Sequence, residues 1–482
     1  MISSSAKTRV AIVGAGISGL SAAYRLTQLS GDQLDITIFD RSPRAGGVLE
    51  SQAIGDFRLE TSADMFSIDP PAALELCREL KLGDSLLSAK PTPDRAYIAV
   101  EDGVHPVPRG FSLMLPGNID AVLESKLLSD EAKQRFLQEE SIPPQAENAD
   151  ESLETFATRR FGREVFERLI QPLASGIYTA DPRMLSMRAT MDRFLQLEKK
   201  HGSLIAAAKQ QSQAANNQTS GARYGLFRAP ENGLGQLVDA LTKVLNHQVN
   251  WQLETAVKRI DRQQDQWELT CSTGREDSTT DNPARPFDGV ITSTSARLAS
   301  SLLNRSEPQL ASQLNSIEAA SSAIVAMGIR RNQLAHDFPG YGIIIPHSLG
   351  RKAIACSFSS NKFDQRAPED QLLIRIFFGG ALNPELVDLA DSELLGLATE
   401  ELDRLLDFSG NPIFWRVIRW HQCMPQYTHG HLDRIAAIES EVSSLPGLEL
   451  AGNSYRGVGI PACIDSGFGA AERLLRELGV DH

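Results

Sequence analysis

An α/β fold is predicted, with a parallel sheet assembled from the two ends of the chain, an antiparallel-sheet unit and a mainly helical insert. Three observations predict it. The apolar run Val10-Ala11-Ile12-Val13 feeds a Gly-x-Gly-x-x-Gly turn at Gly14, Gly16 and Gly19 and then a helical pattern. A second strand, glycine-rich turn and helix start occur near the finish, from Leu450-Ala451-Gly452 to Gly457-Val458-Gly459-Ile460-Pro461. Between the two, the apolar spacing is helical over residues 110–225 and strand-like over 300–440.

The first βαβ unit is the informative one. Gly14 permits the tight turn, Gly16 lets the backbone approach a pyrophosphate, and Gly19 lets helix and strand pack closely. Ala15, Ile17 and Ser18 fill the turn, and the helix N-terminus offers free N–H groups and partial positive charge to phosphates. This is a Rossmann-type nucleotide fold. Ile36-Thr37-Ile38-Phe39 is the next strand, and Asp40 closes it where a carboxylate accepts from an adenosine ribose, with Arg41 beside it. Arg44 and then Gly46-Gly47-Val48 follow. A nicotinamide nucleotide does not need that second glycine pair. FAD does, because its pyrophosphate and ribityl chain lie along a second stretch of backbone, with Arg44 as charge partner. An NAD domain or a chance glycine turn is the bland alternative.

Further sheet elements are expected at Trp251–Asp261, Trp267–Cys271 and 289–292, with Val257 a further cofactor contact. At the C-terminal turn, Gly452, Val458, Gly459 and Ile460 are expected beside the flavin ring. Pro461 suits the start of a helix running through Ala470-Ala471 to a stop near Gly479. Its N-terminus would stabilise negative charge on the reduced ring. Cys463 falls inside that helix and no covalent attachment segment is present, so the FAD is expected to be non-covalent.

The nucleotide fold is therefore discontinuous, drawn from residues 1–85, 225–300 and 440–482, with a helical insert at 110–225 and a substrate unit at 86–109 and 300–440. In the insert Phe156, Phe161, Val165, Phe166, Leu169 and Ile170 recur at helical spacing. Ser141–Ser152 and Gln210–Gly221 read as flexible surface from their composition. Strands are expected at Ala323–Ile329, 342–345, Ala353–Phe358, Leu372–Phe378 and Phe414–Trp420, as an antiparallel sheet walling a pocket.

A net charge of −13 argues against nucleic acid and anionic lipid as partners. The five cysteines are scattered, without metal or disulfide spacing, and His429-x-His431 with His421 nearby reads as polar loop. The first residues, Met1–Lys7, carry no apolar signal segment, so the expected compartment is cytosolic. Phe111-Ser112-Leu113-Met114-Leu115 is a candidate for peripheral contact with the inner face of a membrane.

The middle of the chain is more specific. Pro172, Ser175-Gly176-Ile177-Tyr178-Thr179-Ala180-Asp181, Leu185-Ser186 and Gly202-Ser203-Leu204-Ile205 together resemble the porphyrinogen oxidases of haem biosynthesis, flavin enzymes acting on protoporphyrinogen IX or coproporphyrinogen III. Gly233-Leu234-Gly235, Ser359–Pro368 before Gly379-Gly380, and Ala451–Ile460 resemble the same family, so the likeness spans the chain. It implies that Gly176 lies over the porphyrinogen, that Tyr341 stacks on a pyrrole, and that Leu314 helps to sandwich the macrocycle. His105 stands where the family carries a propionate-binding Arg, with Arg109 as a substitute. A helix-ending glycine, a packed turn aromatic, a core leucine and an exposed histidine are the structural alternatives. The family's glycine-proline turn after Glu60 is replaced by Ser62-Ala63-Asp64-Met65, which the resemblance sets beside FAD; either the turn here is different or its approach to FAD is looser.

What the resemblance implies is a six-electron oxidation in three rounds. In each, hydride leaves a saturated bridging carbon for flavin N5 and a pyrrole nitrogen loses a proton. Molecular oxygen takes the electrons as peroxide, and the product passes on, for instance to a ferrochelatase. No enzymatic base is required, and no Ser-His-Asp, Cys-His or paired-carboxylate constellation is seen. The rivals are an amine oxidase or carotenoid-type desaturase, which would lack the Ser175–Asp181 segment, and a non-catalytic tetrapyrrole carrier.

Overall fold

Thr8–Val13 is the central strand of five parallel strands, ordered Asn250–Gln252, Leu34–Phe39, Thr8–Val13, Gly289–Thr292, Leu448–Leu450. In this computed structural model residues 7–92, 96–145, 150–215, 223–273, 282–283 and 286–480 are described. Val10, Ala11 and Ile12 have no exposed surface, since both faces of the sheet are covered. Val10 and Ile12 point to the helices Ile17–Ser30 and Ile460–Glu477, while Ala11 and Val13 point to a core shared with Ala296–Leu303 and His431–Val442. Alternation along the strand produces this division.

The run from Trp251 to Asp261 is two strands. It breaks at Glu254, which takes a positive φ of 50°. Asn250–Gln252 joins the parallel sheet, and Thr255–Gln263 turns away into a three-stranded antiparallel sheet with Gln266–Thr273 and Asn282–Pro283.

The larger sheet has seven strands, ordered Phe414–Pro425, Ala319–Arg330, Gln371–Gly379, Ala353–Phe358, Gly342–Ile344, Ala96–Val100, Gly103–Pro106. It is mixed, because Gly342–Ile344 pairs in parallel with Ala96–Ile98. One face carries Val325, Met327, Ile374, Ile376 and Cys356 against the helix Asp391–Leu406. The other face looks toward the insert and the nucleotide fold.

In the insert, Leu153–Phe161 ends at Gly162 (φ 91°), and the chain continues through a π-turn at Phe166–Ile170 into the helix Gln171–Tyr178. Phe156, Phe161, Val165, Leu169 and Ile170 have no exposed surface. Arg160 and Glu139 form a buried ion pair, and the Glu139 carboxylate accepts the N–H groups of Leu204 and Ile205 at the start of Leu204–Ala215. That helix occupies the first half of the stretch read as flexible from Gln210, and residues 216–221 lie outside the described set. The other such stretch ends in fixed structure. Glu151 and Ser152 are buried, and Ser152 caps Leu153–Phe161, while residues 146–149 lie outside the described set.

Candidate active site

Four segments converge at the C-terminal end of the parallel sheet. Gly14 leaves the central strand at φ 107°, its carbonyl accepting from Ser293 Oγ at 2.7 Å. A Cβ on Gly19 would overlap the Gly14 carbonyl, so helix and strand meet only with glycine there. Asp40 accepts the N–H groups of Ala15 (2.7 Å) and Ser42 (2.8 Å) and so fixes both turns. Gly46 donates to the Ala15 carbonyl at 2.7 Å, and a Cβ on Gly47 would stand 3.2 Å from the Gly16 Cα. Arg41 is exposed and so, among apolar side chains, is Val48. Arg44 pairs with Glu50 at 3.1 Å and donates to the carbonyls of Ala45, Gly47 and Leu49, which wraps it around its own turn. Val257 packs with Phe39 in the core beside Asp40.

The C-terminal turn arrives from the other side. Gly452 (φ 130°) donates to Ser466 Oγ at 3.0 Å, and the last helix starts at Ile460 with Gly459 as N-cap. Val458 and Gly459 lie on the accessible side of that turn. Like Gly16 on the first helix, Gly459 supplies no side-chain cap, so both helices present first-turn N–H groups without a side-chain acceptor.

The Ser62–Met65 turn needs no positive φ. Ser62 Oγ donates to the Val48 carbonyl at 2.7 Å, and Arg375 donates to the Ser62 carbonyl at 2.5 Å. Asp64 points inward, 2.6 Å from Arg375 and 2.9 Å from Lys362. Its carboxylate is thus engaged by two cations, whereas the sequence expectation set Asp64 beside the cofactor. Burial works to raise its pKa, but Arg375 and Lys362 hold it below the ordinary carboxylate range. Neighbouring Glu60 is pushed up to about 7 by burial, against the pull of Ser51, Arg366 and Arg375. Nothing in the sequence paired Lys362 and Arg375 with Glu60 and Asp64, which they meet across some 300 residues of chain.

Across from these turns lies the open face of the seven-stranded sheet. Strand register sets Ile418, Ile324, Phe377, Ala355, Ile344, Ile98 and His105 in one row. Phe377, Ala355 and Ile344 are half-buried, and Phe377 stands two residues beyond Arg375 on the same face, beside the Ser62–Asp64 turn. Gly176 lies on the helix Gln171–Tyr178, whose end is tied to the sheet by Ala381 N–H to the Thr179 carbonyl at 2.8 Å. Gly176 is exposed, its φ is not positive, and a Cβ there would meet no atom within 4 Å. It does not end its helix; Thr179 does, in the left-handed conformation.

Other expected substrate contacts are elsewhere. Tyr341 is 7% exposed and its hydroxyl donates to the Lys90 carbonyl, so its ring is packed rather than offered to a ligand. Leu314 has no exposed surface and sits in the core with Ile435 and Ile438. His105 lies on the outermost strand, four strand spacings from Phe377, or roughly 19 Å. Arg109 is an exposed turn residue near it. Phe111 and Met114 of the candidate membrane loop are buried in the insert core. Among the described residues no helix is long and apolar enough to cross a membrane.

Comparison with known proteins decides the family. The model of the flavin containing amine oxidoreductases matches residues 17–475. The chain is 32% identical to the coproporphyrinogen III oxidase of Bacillus subtilis, over 98% of this chain and 99% of that one. The chain belongs to the porphyrinogen oxidases. It is 29% identical to protoporphyrinogen oxidase 2 of Arabidopsis thaliana, over 98% and 94% of the two chains. A crystal structure from Exiguobacterium sp. 255-15, itself provisionally assigned as a protoporphyrinogen oxidase, superposes with a TM-score of 0.84 at 28% identity, covering 98% and 99%. This porphyrinogen oxidase is an FAD-dependent oxidoreductase. Its residues fit the cofactor: no protein atom lies within 4 Å of a Cβ built on Gly16, and two helix N-termini without side-chain caps converge there.

Proposed function

We propose that this chain oxidises coproporphyrinogen III to coproporphyrin III, with non-covalent FAD as electron acceptor and oxygen as the final oxidant. Gly176 carries the placement of the substrate. A glycine inside a helix costs about 0.5–1 kcal/mol relative to alanine, and no packing or backbone demand of this fold requires it. The space it leaves is used by a flat macrocycle lying between the insert and the row at Phe377.

When bound, FAD would supply a two-electron acceptor for the hydride of a bridging carbon, with oxygen as the terminal oxidant over three rounds. The protein's residues position and enclose. The first-turn N–H groups of Ile17–Ser30, with the backbone of Gly46–Gly47, would hold the pyrophosphate, and the lone pairs that Asp40 retains would accept from the ribose. The Gly452–Ile460 turn and the N-terminus of the last helix would lie beside the ring and favour its reduced, negative form. Ile344, Ala355 and Phe377 supply an apolar wall that excludes water from the reacting carbon. The substrate gives its own proton from pyrrole nitrogen, so no side-chain base is assigned.

The choice of coproporphyrinogen III is supported by the 32% and 30% identities to coproporphyrinogen III oxidases of Bacillus subtilis and Staphylococcus aureus. Flavin-loaded protein is assayed with each porphyrinogen, following porphyrin fluorescence and peroxide. Three peroxides per coproporphyrin III are expected. Faster turnover of protoporphyrinogen IX overturns the substrate, and oxidation of neither overturns the function.

A further inference from the structure

The segment Gln426–His431 joins the insert to the turn assigned to the flavin ring, and Tyr427 makes contacts on both sides. On the ring side, its hydroxyl accepts the Gly457 N–H at 2.7 Å and donates to the Asn453 carbonyl at 2.5 Å, so one oxygen closes the Asn453–Gly457 turn. The Asn453 side chain also donates to the Cys423 carbonyl at 3.0 Å. The Tyr427 ring stacks on His431, with centroids 4.0 Å apart and planes at 14°. His431 Nε2 stands 2.8 Å from the Tyr455 carbonyl. A carbonyl only accepts, so Nε2 carries the proton and binds the same turn a second time.

On the insert side the bonds run through the main chain. The Tyr427 carbonyl accepts Ser186 N–H at 2.8 Å, His429 N–H reaches the Met184 carbonyl at 3.1 Å, and Thr428 bridges Leu185. Asp150 clamps the pair, accepting Ser186 Oγ at 2.6 Å and Gly430 N–H at 3.0 Å. Met184 and Leu185 in turn donate to the Asp181 carbonyl, shortly beyond the helix that carries Gly176.

We propose that Tyr427 is a positioning residue for the reaction: it sets the turn beside the flavin ring and couples that turn to the insert that caps the substrate. A phenylalanine would fill the same space on His431; only the hydroxyl closes the turn. The proposal rests on the placement of the ring at Gly452–Ile460. Any shift of the insert moves the turn through this segment, and linkage makes the effect reciprocal.

The test uses the full chain as apoprotein titrated with FAD, reading the dissociation constant and the visible spectrum of the bound flavin. Tyr427→Phe is expected to weaken FAD by about 5-fold or more and to change the flavin bands. Asp150→Asn, at a residue not assigned to the cofactor, is expected to change the same bands, whereas Glu154→Gln, which removes the insert's pair with Arg163, leaves them as they are. Wild-type affinity and spectrum in Tyr427→Phe, or in Asp150→Asn, overturn the proposal. Gly459→Val separates the two failures. If it too leaves the spectrum unchanged, the ring is not at this turn and the reading beneath the proposal falls with it.

Discussion

Gly467 of the last helix rests on Ser18 of the first, so closely that a Cβ added to Gly467 would overlap the Ser18 carbonyl. The helices can cross here only while one surface is bare backbone. Their crossing aims both N-termini at the same region. Gly467→Val is expected to force the helices apart, costing about 1–3 kcal/mol of stability and weakening FAD as well. Thermal melts of the apoprotein and an FAD titration check the two effects together.

Gly16 is the opposite case. A side chain there meets no protein atom within 4 Å, at an ordinary φ of −70°. Gly16→Val is therefore expected to fold with the melting temperature of the wild-type apoprotein while losing nearly all its flavin. Full FAD occupancy in the purified variant would contradict the assignment of this turn.

Gly176 separates stability from activity. Gly176→Ala is expected to gain about 0.5–1 kcal/mol, since alanine is the better helix former and the space is open. Gly176→Phe is expected to fold with normal flavin content and to lose ~100-fold or more in kcat/KM, the scale of misplacing a reacting carbon by about an ångström. Normal turnover by Gly176→Phe would remove the macrocycle from this surface.

Two aromatics exchange roles relative to the sequence expectation. Phe377→Ala is expected to raise KM about 10-fold, as loss of an aromatic contact of 1–3 kcal/mol implies. Tyr341→Phe leaves KM unchanged and costs about 1 kcal/mol of stability for its hydrogen bond to Lys90. Steady-state kinetics beside melting curves distinguish these outcomes.

His431 makes the protein acid-sensitive. Burial holds its pKa down at about 4 against an ordinary 6.5; the Tyr455 carbonyl and Asp150 oppose the shift, and Arg434 and Arg456 add to it. The unfolded chain therefore binds the proton more readily. The neutral histidine's contribution is complete above pH 6.5 and is lost as pH falls toward 4, by about 3 kcal/mol for a shift of this size. His431→Gln, which keeps a donor for Tyr455, is expected to flatten the melting temperature over that window. An unchanged pH profile would show that His431 is not the sensor.

Local chemistry was legible in the sequence. The turns at Gly14–Gly19 and Gly46–Gly47, the strand Ala353–Phe358 and the last helix follow from apolar runs and glycine spacing, which act within a few residues. Harder to read was the run from Trp251 to Asp261, where the positive φ of Glu254 ends one strand and starts another without a glycine to announce it. The charged group of Asp64, Lys362 and Arg375 exists only through long-range packing. For Tyr341 the stacking role came from the resemblance alone; its place between two glycines read equally as a packed turn aromatic, and its hydroxyl bonds the Lys90 carbonyl. Phe377 had no local mark, because its exposure depends on which face of a seven-stranded sheet is left uncovered.

The parallel sheet sets a timetable for synthesis. Its central strand, Thr8–Val13, is hydrogen-bonded on one side to Leu34–Phe39 and on the other to Gly289–Thr292, and the helix across Ile17–Ser30 begins only at Ile460. At about 5–20 residues per second, a ribosome takes roughly 20–90 s to reach that helix after making the first one. Throughout that interval the apolar face of Ile17–Ser30 lacks the surface that finally covers it. The growing chain therefore carries a half-finished apolar face, of the kind that invites aggregation, until its C-terminal helix emerges.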